Sequence, residues 1–179
     1  MTPARSLLIA MVALALLMGA RPIAGDEQFP RGLMSAEPRA GNHSCTIDVR
    51  PVSFGTYDPL AASAVDAVGQ VIYVCGNLAA SGTAQGAKAI RIEMDTGGAN
   101  TYQRHMSAGT GLDFLAYNLY LDATHRTIWG QGLYGTDVYV DTHPPNRTPV
   151  TVPVYGRVFG LQDVPSGQYV DAVTARILF

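Results

Sequence analysis

The six residues AIRIEM, at positions 89–94, decide the fold class of this chain. Three apolar residues, Ile90, Ile92 and Met94, alternate there with Arg91 and a glutamate. Because successive side chains of a β-strand point to opposite faces, a period of two predicts a strand with one face in the core and the other in water.

Similar short apolar runs recur to residue 179, with Gly, Pro, Asn and Asp between them. Residues 71–75 are apolar on both faces, which indicates a central strand. Pro153 has no N–H for a strand ladder, so its strand is expected at a sheet edge or with a bulge. The other predicted strands are 46–54, 112–121, 137–141, Val150–Val158 and 168–179. No amphipathic helix is predicted, and the pattern is typical of an all-β sandwich or barrel.

The amino-terminal residues predict export. Arg5 precedes an apolar run, residues 7–18, that contains no charged residue. This is the pattern of a cleaved signal peptide, and the run is shorter than the roughly 20 residues of a membrane-spanning helix. Small residues suited to cleavage stand at Ala20 and Gly25, so residues 1–25 are assigned to the signal, with a retained anchor as the alternative.

The remainder of the chain fits one domain of ordinary size. Residues 26–44 contain Pro30 and Pro38 without alternating apolar residues, which predicts an irregular arm ahead of a β-domain at 45–179. The net charge of −2 and the 15% of charged residues argue against binding nucleic acid or an anionic membrane surface. Proteins or neutral ligands are therefore the expected partners.

Cys45 and Cys75 are the two cysteines of the sequence. In an oxidising compartment a bond between them is the default, and it should stabilise the fold by roughly 3 to 4 kcal/mol. A metal site would need more Cys or His at short spacing, and a catalytic cysteine would need a histidine partner. The sequence therefore favours a structural disulfide.

The sequence predicts no catalytic centre and no cofactor or metal. The histidines lack the spacing of metal ligands and are expected in solvated loops, and the aspartates are ordinary turn residues. Gly97 and Gly98 are expected in a turn. The aromatic residues are expected to fill the core, with a sugar-binding surface as the alternative. The residues concerned are His43, His105, His125, His143; Asp113, Asp122, Asp137, Asp141; and Trp129, Tyr117, Tyr120, Tyr134, Tyr139.

Several segments in order after Cys45 resemble the spore coat protein U domain, a family that supplies pilin subunits of archaic chaperone-usher pili. No single segment is decisive, but their order makes the match specific. The segments are CTI at 45–47, FGTYDPL at 54–60, the strand ending at Cys75, YQRHM at 102–106, LAYNLY at 115–120, DA at 122–123, TIWG at 127–130, VYGR at 154–157 and VPSGQYVD at 164–171.

The resemblance implies an immunoglobulin-like β-sandwich that lacks its last strand, with no catalytic activity. A periplasmic pilus chaperone, and later a neighbouring pilin subunit, would supply the missing strand. An outer-membrane usher, a position in a cell-surface fibre, and a role in adhesion or biofilm formation follow from the same resemblance. Val173, Ala175, Ile177 and Phe179 alternate in the final predicted strand and are expected to line the open groove.

The arm departs from the family pattern, in which a donor segment with alternate apolar residues precedes the first cysteine. Between residues 26 and 44 the apolar side chains are sparse, chiefly Phe29, Leu33 and Met34. This predicts a subunit that accepts a strand but donates poorly, as at a fibre tip or in a minor position; a degenerate but adequate donor is the alternative. A self-sufficient secreted coat or carbohydrate-binding module is the competing function, and a surface or glycan receptor stays open.

Overall fold

The computed structural model of the protein describes residues 44–76, 89–109 and 112–179, together with the backbone of residues 8–16. Ten strands make up the regular structure of these described residues. They are β1 (Leu8–Leu16), β2 (Ser44–Arg50), β3 (Ser53–Tyr57), β4 (Val65–Gly76), β5 (Ile90–Met94), β6 (His105–Ser107), β7 (Phe114–Tyr120), β8 (Tyr139–Asp141), β9 (Val150–Val158) and β10 (Gln168–Leu178). The described residues contain no helix, and therefore none that could span a membrane. The predicted all-β class is confirmed.

The strands follow the pairing order β2-β4-β9-β7-β6-β10-β1-β3, and β5 pairs with both β10 and β8. Every pairing is antiparallel except that of β1 with β10. Strands from both halves of this order contribute to one common apolar core, as the two sheets of a β-sandwich do. Fully buried residues of β4, β5, β7 and β10 meet there.

The two strands with the clearest sequence signals are confirmed. Ile90, Ile92 and Met94 of β5 are fully buried, whereas Arg91 is exposed. β4 lies between β2 and β9, as a strand apolar on both faces requires. It begins at Val65, six residues before the predicted start. Its first half has one solvent-exposed face, so the continuous apolar run that predicted the strand covers only its second half.

Two strand predictions need correction. The predicted strand 46–54 is interrupted at Pro51, and Val52 turns into the core between β2 and β3. β9 is not an edge strand, since it pairs with β4 along its whole length and with β7 from Tyr155 to Val158. Pro153 lies beyond the last residue paired with β7, so its missing N–H interrupts no ladder there.

Candidate functional site

The strand β1 fills a gap between β3 and β10. It runs parallel to β10, with register from Ile9 opposite Gln168 to Leu16 opposite Ala175. On its other side it runs antiparallel to β3 from Leu8 opposite Tyr57, with a register shift before Met11. Among the described strands β3 pairs with no other, so β1 alone joins β3 to the sheet.

The strands on either side of β1 supply large core residues. Phe54 and Tyr57 of β3 are buried, and so are Tyr169, Val173 and Ala175 of β10. Without β1, both strands would present unpaired backbone N–H and C=O groups beside this apolar surface, the arrangement that accepts an added strand. We call the space between β3 and β10 the acceptor groove.

The four residues predicted to line the groove occupy different positions relative to β1. Val173 and Ala175 lie within the stretch of β10 that pairs with β1. Ile177 lies two residues further on and pairs with Ile92 of β5, and Phe179 follows the end of β10 with 46% of its surface exposed. Tyr169, which the sequence analysis did not select, lies opposite β1 at the other end of the groove.

A buried carboxylate on β10, that of Asp171, lies among the inward-facing residues of the groove strand. It accepts hydrogen bonds from the Tyr117 hydroxyl at 2.6 Å and from the Gly98 and Ala172 N–H groups at 2.8 Å. Burial raises the pKa of Tyr117, and the Asp171 charge raises it further. Gly97 has a φ of 64°, and a Cβ there would collide with this carboxylate. The predicted turn at these glycines is confirmed, and it closes over Asp171.

The guanidinium of Arg104 is also buried, and its partners are neutral. It donates to the Asp95 carbonyl at 2.6 and 3.1 Å, to Asn118 Oδ1 at 2.7 Å and to the Trp129 carbonyl at 2.8 Å. Burial lowers the pKa of Arg104. These bonds tie together the segment after β5, strand β7 and the segment around Trp129, and nothing in the linear sequence marks Arg104 for this role.

The disulfide between Cys45 and Cys75 is confirmed. The two residues are directly opposite in the β2–β4 ladder, with Cα atoms 4.1 Å apart and an S–S distance of 2.05 Å. Cys75 is fully buried. The disulfide therefore clamps β2, the strand at one end of the pairing order, to its neighbour β4. The groove lies toward the other end of the order.

Within the described part of the chain, no group of three or more His, Cys, Asp or Glu side chains is placed to hold a metal ion. Asp122 accepts bonds from its own loop at Thr124 and Thr127, which lowers its pKa, and Asp141 accepts from Tyr73. His143 lies in an exposed loop as expected, and His43 lies outside the described residues.

Two histidines differ from the prediction of solvated loop residues. His105 lies on the short strand β6, and only 7% of the His125 side chain is exposed. The His125 ring packs on those of Tyr120 and Tyr155, so apolar contact rather than hydration fixes it.

The aromatic residues fill the core as predicted, with one exception. Trp129, Tyr117 and Tyr120 are buried, and Tyr139 packs against the core at partial exposure. Tyr134 instead is 92% exposed. The prediction is wrong for Tyr134 because this residue belongs to a projecting turn rather than to a strand.

Comparison with known proteins adds three findings. The model of the Spore Coat Protein U domain family matches residues 33–176. A curated relative, "Protein U" of Myxococcus xanthus, is 33% identical over 134 residues, which are 72% of this chain and 71% of that protein. The match to the family model begins inside the predicted arm, twelve residues before Cys45.

The fold also resembles a chain in the crystal structure of the CsuC-CsuE chaperone-tip adhesion subunit pre-assembly complex, from the archaic chaperone-usher Csu pili of Acinetobacter baumannii. The TM-score is 0.50 at 20% identity, over 76% of this chain and 40% of that one. At this identity the likeness concerns the fold.

Proposed function

Because this chain belongs to the Spore Coat Protein U domain family, we propose that it is a non-catalytic, structural subunit of a surface fibre built by the chaperone-usher route. A periplasmic chaperone strand fills the acceptor groove first, and a strand of a neighbouring subunit replaces it at an outer-membrane usher. The subunit passes through the periplasm and ends on the cell surface, where the fibre supports adhesion or biofilm formation.

One observation carries this proposal: the strand that fills the groove, Leu8–Leu16, belongs to the segment predicted as a cleaved signal peptide. Removal of residues 1–25 would leave β3 without a described partner and β10 with an open edge along Gln168–Ala175. A strand of nine residues, supplied by another protein, would restore both ladders. The exported chain would therefore depend on a donor strand.

We propose a tip or minor position for this subunit. Proline-rich residues 26–44 precede the domain and offer few apolar side chains to a neighbour's groove. Apart from Ser44 this segment lies outside the described residues, so the sequence alone supports this step. Replacing residues 26–44 with an unrelated polar linker should leave incorporation into fibres intact, and loss of fibre assembly would contradict the terminal position.

The experiment compares the full chain with residues 26–179, both synthesised in an oxidising, membrane-free cell-free system, where the disulfide can form and no translocon or signal peptidase is present. We expect the full chain to yield a soluble monomer, because Leu8–Leu16 closes the groove. Residues 26–179 should aggregate alone and become soluble as a one-to-one complex when a pilus chaperone from the same source is co-expressed. Size-exclusion chromatography with light scattering distinguishes these states.

The second candidate is a self-sufficient secreted coat or carbohydrate-binding module, and recovery of exported protein that retains residues 8–16 would support it. A stable, monomeric 26–179 fragment would contradict the need for a donor strand. The observation that favours this candidate is that the chain can close its own sheet when residues 8–16 are retained. In that case the amino-terminal run would act as a permanent strand.

A further inference from the structure

A cavity of about 440 Å³, whose surface is mostly apolar, lies on the side of β10 away from β1. Its volume is within the range of small-molecule sites. All seven lining residues carry a hydrogen-bonding side chain, and none is cationic. They are Asp95, Thr96, Asn100, Thr101, Tyr102, Gln131 and Tyr134.

The carboxylate in this cavity is held in place by the scaffold. Asp95 Oδ1 accepts hydrogen bonds from the N–H groups of Gly97 and Thr174, each at 2.9 Å, and the Asp95 N–H donates to the Thr174 carbonyl. The Asp95 carbonyl receives two hydrogen bonds from the buried Arg104. Asp95 Oδ2 has no hydrogen-bond partner among the described residues, so it remains available to a ligand.

Two side-chain amides add uncommitted donors and acceptors. Asn100 and Gln131 line the cavity, and their amide groups make no hydrogen bond within the described part of the chain. Each amide offers one acceptor oxygen and two donor hydrogens. Together with Asp95 Oδ2, these groups match a ligand whose hydroxyls both donate and accept.

The rim of the cavity holds an aromatic ring in a costly backbone conformation. Leu133 to Thr136 form a tight turn, closed by the Thr136 N–H to the Leu133 carbonyl at 3.1 Å. Its central residues, Tyr134 and Gly135, have φ values of 55° and 77°, as in a type I′ turn, which favours Asn-Gly. Strained residues of this kind concentrate at binding sites, and this one displays an almost fully exposed ring.

We propose that this cavity binds a neutral saccharide. The amides and the carboxylate pair with sugar hydroxyls, and the Tyr134 ring packs against the apolar face of a pyranose. The Asp95 charge, with no cation in the lining, disfavours sialylated or sulfated sugars. The site goes beyond the proposed role in fibre assembly, and because β10 separates it from the acceptor groove, ligand and donor strand do not compete.

The test is saturation-transfer NMR on the full 179-residue chain, with lactose, maltotriose and chitotriose as neutral probes and sialyllactose as the anionic counterpart of lactose. We expect transfer to at least one neutral probe and weaker transfer to sialyllactose. Tyr134→Ala and Gln131→Ala should each weaken binding about tenfold, the loss expected when a principal contact is truncated. Tyr134→Phe and Gln70→Ala, a glutamine on β4 outside the cavity, should leave binding unchanged.

Tyr134→Asn distinguishes binding from folding, because asparagine suits the turn but lacks the ring. It should lose binding while its melting temperature equals or exceeds that of the parent. Absence of transfer to all three neutral probes would overturn the site, as would equal binding in both alanine variants. Stronger binding of sialyllactose than of lactose would overturn the ligand class. These outcomes are independent of whether residues 26–179 need a chaperone.

Discussion

The two ends of the strand order are protected by different means. At one end, β2 pairs with β4 over seven residues, is bonded to it through Cys45 and Cys75, and turns polar side chains such as Asp48 and Arg50 to solvent. At the other end, β3 and β10 are joined by β1, a non-covalent strand from the predicted signal segment. An edge that is charged and cross-linked resists added strands, whereas the groove requires one.

The largest effect is expected from a charge inside the groove. Val173→Asp places a carboxylate at a fully buried position of β10, and we expect a loss of about 3 kcal/mol or more in the free energy of unfolding. Val170→Asp is the matched control, because Val170 lies on the same strand with 42% of its surface exposed. Its effect should stay within about 0.5 kcal/mol.

Urea unfolding of the full chain measures both variants. Equal losses in the free energy of unfolding would show that the buried and the exposed face of β10 tolerate a charge equally well. That result would contradict the description of the groove as an apolar site. With residues 26–179, Val173→Asp should also abolish recovery of a chaperone complex, while Val170→Asp should leave recovery unchanged.

Breaking the covalent clamp should have the next largest effect. The double change Cys45→Ser and Cys75→Ser leaves no unpaired thiol and reopens a loop of 30 residues. The chain-entropy model predicts a loss of about 3 to 4 kcal/mol, which thermal melting of the full chain in an oxidising buffer would detect. Addition of a reductant is the control: it should lower the melting temperature of the parent and not that of the variant. An unchanged melting temperature in the double variant would mean that the disulfide does not stabilise the pairing of β2 with β4.

A smaller loss in the free energy of unfolding is expected from a change at Asp171, the buried carboxylate of the groove strand β10. Asp171→Asn keeps the size of the side chain but turns one acceptor oxygen into a donor, which would then face the Tyr117 hydroxyl or the Gly98 N–H. The expected loss is about 1 to 3 kcal/mol by urea unfolding. Tyr117→Phe removes the same hydrogen bond from the side of the hydroxyl. The sum of the losses in unfolding free energy of the two single variants should therefore exceed the loss of the double variant. Strict additivity would show that the bond is not formed.

The sequence predicted the clamped end better than the groove. Cysteine pairing follows from the compartment. The burial of Ile90, Ile92 and Met94 on β5, which lies at neither end of the strand order, likewise follows from a local period of two. The role of Leu8–Leu16 could not be read in this way, since an apolar run has the same appearance as a signal peptide and as a buried strand. Its pairing with residues more than 150 positions away is a long-range contact without a local signature.

The candidate saccharide site was equally hidden. Asp95, Asn100 and Gln131 are ordinary turn residues in a linear sequence. Contacts between distant segments bring them together, among them the hydrogen bonds of Arg104 to the Asp95 and Trp129 carbonyls and that of the Met94 N–H to the Gly130 carbonyl. Tyr134 followed by a glycine resembles a core aromatic residue next to a turn. The sign of its φ, which sets it at the cavity rim, depends on closure of the turn from Leu133 to Thr136.

The smallest effect is expected from an ion pair between β4 and β9, near the end of the strand order that the disulfide clamps. Arg157 of β9 donates two hydrogen bonds of 2.7 Å to Asp66 of β4, directly across the ladder, and these bonds lower the pKa of Asp66. The stability from a lowered carboxyl pKa is fully present above the unfolded value near 3.8 and is lost as the pH falls through the lower folded value. Because the Asp66 side chain is 47% exposed, Arg157→Ala should cost no more than about 1 kcal/mol at pH 7. Urea unfolding at neutral and acidic pH should show this difference shrink below about pH 4 and in high salt. A difference that persists in acid would mean that packing of the Arg157 stem, rather than charge, supports this end of the sandwich.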